Sequence, residues 1–87
     1  MLKANLGFKK IKQDTDNFSL TGMIEPTFYN FGPDPVRVLH SVIPPGEAFN
    51  AGVMGMVMMN EVPIVFEGNN VNERNLIVYY GTLIQDC

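Results

Sequence analysis

Val36-Arg37-Val38-Leu39-His40-Ser41-Val42-Ile43-Pro44-Pro45-Gly46-Glu47 decides the fold of this chain. Alternation puts Val36, Val38 and His40 on one face of a strand and Arg37 and Leu39 on the other. A short kink leads to a second apolar pair, Val42-Ile43. Proline fixes φ and glycine accepts positive φ, so Pro44-Pro45-Gly46-Glu47 predicts a tight reversal, after which Ala48-Phe49-Asn50 restarts an extended segment. Upstream, Gly32-Pro33-Asp34-Pro35 is a turn that tolerates no helix.

The same grammar extends outward in both directions. Phe8-Lys9-Lys10-Ile11-Lys12 reads as a short basic strand suited to a sheet edge, where charge discourages unwanted pairing. Gln13-Asp14-Thr15-Asp16-Asn17 is a turn cluster. Residues 18–24 predict a half-buried strand, with Phe18, Leu20, Gly22 and Ile24 on one face, and Pro26 ends or edges it. Residues 27–31 are again rich in β-formers. Residues 62–67 predict a strand with Pro63 at its start or on an edge. Leu76-Ile77-Val78-Tyr79-Tyr80 is the strongest β run, closed by Gly81, and pairs with 62–67 as a hairpin across a polar loop. Thr82-Leu83-Ile84 is a candidate final strand. The only helix contender, residues 51–62, contains Gly52 and Gly55, each costing about 1 kcal/mol against alanine. The expectation is an all-β domain: a small antiparallel sandwich or barrel of about seven short strands, without substantial helix. Residues 1–6 form a flexible or partner-bound arm and residues 7–87 a single β-domain.

Composition narrows the function classes. A chain of 87 residues buries roughly 60–65 % of its unfolded surface, so its stability margin is thin. Disulfides, a metal or a partner usually support such a domain. Its one cysteine, Cys87, excludes an intramolecular disulfide, and its one histidine leaves no Cys/His zinc site. A partner subunit is the support left open. The first twelve residues carry four lysines and no acid, giving +4. The other 75 carry Arg37 and Arg74 against nine acids, giving −7. Three uses of the basic segment stand: a solvated edge strand, a protein contact, or nucleic acid, the last disfavoured because no aromatic or arginine pattern accompanies the lysines. No apolar run has signal-peptide or membrane-span length, so synthesis in a cytoplasm without secretion or membrane insertion is expected.

No constellation carries chemistry, so the expectation is a non-enzyme with no catalytic residue, cofactor or metal. Asp14 and Asp16 lie in a turn, and Glu61 and Glu67 flank a strand. None of them is positioned as an acid–base pair. His40 and Ser41 are adjacent on a strand and point to opposite faces. Asp14, Asp16 and Asn17 mimic part of a calcium loop without its glycine and terminal glutamate. The run Met54-Gly55-Met56-Val57-Met58-Met59 is unusual, because methionine suits adaptable contact surfaces. Two roles stand for it: core filling, or an apolar contact with another subunit. As one strand it would be apolar on both faces, and a small sandwich buries only one of them.

The stretch Asn30-Phe31-Gly32, Val36-Arg37-Val38 and Ile43-Pro44-Pro45-Gly46-Glu47-Ala48-Phe49 resembles small β-domain virion proteins of tailed bacteriophages. Within that family it is most like the auxiliary, decoration-type proteins bound to capsids. The resemblance covers about half the chain and rests on turns. Members typically present a polar or glycine-rich surface where this chain has its methionines. The resemblance implies a non-enzymatic structural protein of the virion that reinforces a capsid lattice through apolar and charged contacts. It also implies the major capsid protein, other virion proteins or a second copy as partners. Candidate contact residues are Leu2, Lys3, Lys9, Lys10, Met54, Met56, Met58 and Met59. The alternative is a carbohydrate-binding β-sandwich module that stacks sugars on Tyr29, Tyr79 and Tyr80, with Asn69, Asn70 and Asn72 as polar partners.

Overall fold

The computed structural model describes residues 3–84. They form eight strands: β1 (Ala4–Ile11), β2 (Thr15–Ser19), β3 (Ile24–Asn30), β4 (Val36–Val38), β5 (Ser41–Ile43), β6 (Ala48–Asn50), β7 (Glu61–Phe66) and β8 (Leu76–Leu83). The only helical segment among the described residues is a 3-10 turn at Val71–Glu73. One sheet has the order β1-β8-β3-β6 and the other β2-β7-β4-β5, with every pairing antiparallel. This order is that of the eight-stranded jelly roll, a sandwich of two Greek keys. The described chain is 47 Å long and 19 by 18 Å across.

Alternation decides what the sandwich encloses. In β7 the burial follows the pleat, with Val62, Ile64 and Phe66 inside and Glu61, Pro63 and Val65 outside. Val36, Val38 and Ile43 join them from the same sheet, and Ile11, Phe28, Leu76 and Val78 face them from the other. Leu20 and Met23 close one end of this core.

The decisive stretch folds more sharply than its pattern suggests. The kink at Leu39 is a full two-residue hairpin, with Val38 opposite Ser41 and Val36 opposite Ile43. Leu39 takes φ 57°, a position that glycine normally fills in such turns. The Pro44–Glu47 reversal is as expected: Glu47 N donates to the Pro44 carbonyl at 3.1 Å, with Gly46 at φ 83°.

Several expectations are corrected. Residues 18–24 are not one strand. β2 stops at Ser19, and residues 20–23 turn, with Met23 N donating to the Leu20 carbonyl and Gly22 at φ 85°. Thr15 to Asn17 belong to β2, whose pairing with β7 shifts register between Thr15 and Phe18. Pro26 lies inside β3, buried, where the pairing to β8 slips between Ile24 and Thr27, so no ladder donor is needed. Pro63 lies in an inner strand. The β4 ladder ends at Val38 opposite Ile64, and Pro63 faces the Leu39 turn, accepting from Leu39 N at 3.1 Å. β7 and β8 are not a hairpin, because their connection crosses from one sheet to the other. Gly81 does not end β8. It sits between Leu6 and Ile24 in the paired row. Ala4, Asn5 and Leu6, assigned from the sequence to a terminal arm, pair with Leu83, Thr82 and Gly81, which ties them into β1.

The connections gather at two chemically distinct ends. At the polar end, Asn30 is 1 % exposed. Its Nδ2 donates to the carbonyls of Asp34 (2.8 Å) and Ile43 (2.9 Å), and its Oδ1 accepts from Gly32 N at 3.0 Å. Asp34 in turn accepts from the backbone and side chain of Asn70. Asp14 accepts from Phe66 N, and Arg74 lies over the Phe66 ring at 5.1 Å. At the other end, the 20–23 turn, the Leu39 hairpin and the methionine segment come together.

Candidate functional site

The methionine segment is a loop, not the two-faced strand its alternation allowed. It leaves β6 at the edge of one sheet and enters β7 in the middle of the other. Gly52 starts it where a side chain would collide: a Cβ there would lie 2.5 Å from Glu25 Cα. Ala51 N donates to the Pro26 carbonyl at 2.8 Å. Residues 53–56 then turn, with Met56 N on the Val53 carbonyl and Gly55 at φ 75°.

The rest of the loop is strapped to the 20–23 turn. Val57 bridges Ile24. Met58 N donates to the Met23 carbonyl at 2.8 Å, and the Met58 carbonyl accepts from Gly22 N at 3.0 Å. Leu20 N donates to Asn60, and the Thr21 hydroxyl donates to the Met59 carbonyl at 3.3 Å. The backbone is therefore held by hydrogen bonds while most side chains point away. Met54 and Met59 are each 83 % exposed and Met56 is 60 % exposed, with Val53 and Val57 beside them. Met58 alone turns inward and packs on the core. Of the run, Met58 takes the core position, and Met54, Met56 and Met59 are left at the surface.

The lysines do not join this loop as one site. Lys3 is exposed just before β1, at the opposite edge of the sheet from β6, its carbonyl accepting from Ile84 N at 2.9 Å. Lys9 and Lys10 lie toward the far end of β1, about 20 Å from Lys3 at the rise of a strand. Lys9 stands 6.0 Å from the Phe18 ring, and Lys10 sits opposite Ile77. Leu2 lies outside the described residues.

The sequence does not disclose a second apolar surface, the outer face of the β1-β8-β3-β6 sheet. Pairing places Phe8 beside Tyr79, and Leu6 and Ile24 on either side of Gly81. Four rings cross this face in contact: Phe8–Tyr79 at 6.2 Å, Tyr79–Tyr29 edge-on at 5.3 Å, and Tyr29–Phe31 stacked at 6.0 Å. Leu6 is 82 % exposed and Phe8 60 %. The Leu6 and Phe8 alternation in β1 was the available signal.

An open depression of about 420 Å³ is lined by Lys10, Ile11, Lys12, Gln13, Thr15 and Phe18, with no carboxylate or histidine among them. Among the described residues no three His, Cys, Asp or Glu side chains converge as metal ligands. His40 is exposed in the β4–β5 turn. Of the tyrosines considered for sugar stacking, Tyr29 and Tyr79 share the outer face, whereas Tyr80 turns inward against the core and over Gly7. Asn70 is engaged by Asp34.

No family model, curated protein or solved structure matches this chain.

Proposed function

We propose that this protein is a non-enzymatic structural subunit of a virion, an auxiliary protein of the decoration type that docks on a capsid lattice through its methionine loop. The observation that carries this reading is the exposure of Met54, Met56 and Met59 on a loop whose second half, residues 58–60, is hydrogen-bonded to the 20–23 turn. Burying a methionine side chain contributes about 1.5–3 kcal/mol, so three on one loop supply enough for a specific contact once ordering costs are met. Their flexible thioethers fit an irregular partner without rearrangement of the loop. Jelly rolls serve as viral capsid domains, which supports the reading by analogy of fold. The partner proposed for the loop is the major capsid protein.

Virions purified from a lysate in which the gene is expressed provide the test. The chain should be present at a copy number commensurate with the capsid lattice. Its absence from purified particles would overturn the proposal.

The aromatic row favours a second reading, a carbohydrate-binding module stacking sugars on Tyr29 and Tyr79. Saturable glycan binding, lost in Tyr79→Ala with the fold retained, would place that reading first.

A further inference from the structure

We infer that the outer face of the β1-β8-β3-β6 sheet is a self-association surface, and that its occupant is a second copy of this chain. The inference goes beyond the capsid contact proposed for the methionine loop and shares only Val57 with it.

The first argument is area. The exposed parts of Leu6, Phe8, Tyr29, Phe31, Val57 and Leu83 amount to roughly 700 Å², close to the ~800 Å² per partner of a standard interface. That exceeds the scattered apolar exposure expected of a monomer this small. The second argument is charge. Among the paired outward positions of this sheet only Lys10, at one corner, is charged. The outer face of the opposite sheet carries Glu61 and the Arg37–Glu67 pair. Residues 13–87 sum to −7, so two copies repel through much of their surface, and at this face, where Lys10 is the one charge among the paired outward positions, they meet with little like-charge opposition. A partner selected by charge finds only Lys10 there to complement. The third argument is shape. The face is a four-stranded sheet whose ring row crosses it, and sheets pack face to face about 10 Å apart with aligned strands. A two-fold axis lying between two such faces makes the contact self-complementary and closed.

Sedimentation equilibrium on the full chain between about 1 and 500 µM tests this. The expected result is a dimer with a dissociation constant at or below about 100 µM. Phe8→Lys should weaken it at least about 100-fold with unchanged circular dichroism. Tyr79→Thr, which retains strand propensity and adds no charge, should weaken it about tenfold and serves as the readout if Phe8→Lys does not fold. Met54→Ser with Met59→Ser should leave the dimer intact. A monomer at 500 µM would overturn the inference, as would a dimer that survives a folded Phe8→Lys or, where that variant does not fold, Tyr79→Thr. Either result leaves the virion copy number, which tests the capsid reading, to be decided separately.

Discussion

Asn30→Ala should be the most damaging single truncation at the polar end of the sandwich. The side chain is buried and makes three hydrogen bonds that pin the connection after β3, the end of β5 and the turn at Gly32. Truncation leaves the Asp34 and Ile43 carbonyls and the Gly32 amide without their partner. Gly32 and Ile43 are buried, so water does not replace the bond freely. An orphaned buried group costs about 1–3 kcal/mol, and three partly relaxing groups together cost about 3–5 kcal/mol. Domains of this size have about 4–13 kcal/mol in total. The midpoint of thermal unfolding should fall by roughly 15–25 °C. The internal comparison is Asn50→Ala, whose side chain accepts one exposed bond from Gly52 N at 2.8 Å and whose loss should cost under about 1 kcal/mol. Asn30→Asp keeps the shape but turns an acceptor toward two carbonyls, so it should be no better than alanine. Urea unfolding followed by circular dichroism measures all three. A cost for Asn30→Ala below about 1 kcal/mol, or equal to that of Asn50→Ala, would refute the reasoning.

Three further outcomes follow from local geometry. Leu39→Gly relieves a non-glycine residue at φ 57° and should raise stability by about 0.5–1 kcal/mol, seen as a higher urea midpoint with an unchanged slope. Met54→Ser and Met59→Ser should each change stability by less than about 0.5 kcal/mol, whereas Met58→Ser, which removes a side chain packed on the core, should cost about 1–3 kcal/mol in the same assay. Arg37→Ala removes a bridge to Glu67 whose partners are 47 % and 40 % exposed, and should cost under about 0.5 kcal/mol, falling toward zero in 1 M salt.

Much of the fold was legible because it is written in local turn chemistry. Pro44-Pro45-Gly46 specifies its reversal, and the alternation of residues 61–66 specifies which face of β7 is buried. The Leu39 hairpin was hidden because leucine occupies a position where glycine or asparagine would have announced it. Pro26 and Pro63 misled for a shared reason. A proline is excluded from inner strands only where the ladder needs its donor, and a bulge or a turn on the neighbouring strand removes that need. The hairpin expected of β7 and β8 does not form because adjacency in sequence says nothing about which sheet a strand joins.

The candidate surfaces show the same division. The methionine run stands out by composition, and the sequence left its role open between core and contact. Only the hydrogen bonds to residues 20–23 determine that Met58 goes in and its neighbours stay out. The aromatic face is assembled from β1, β3 and β8, which are distant in the chain. No contiguous pattern encodes it, and the register brings Phe8, Tyr79 and Tyr29 together.

The central claim is that the exposed methionine loop is a docking surface, and competitive incorporation into particles tests it most directly. Wild-type chain and a Met54→Glu, Met59→Glu variant, co-expressed at equal levels, would be quantified in purified virions by peptide mass spectrometry. The account predicts a folded variant in the lysate and at least a tenfold excess of wild type in the particles. Equal incorporation of the two chains would contradict it.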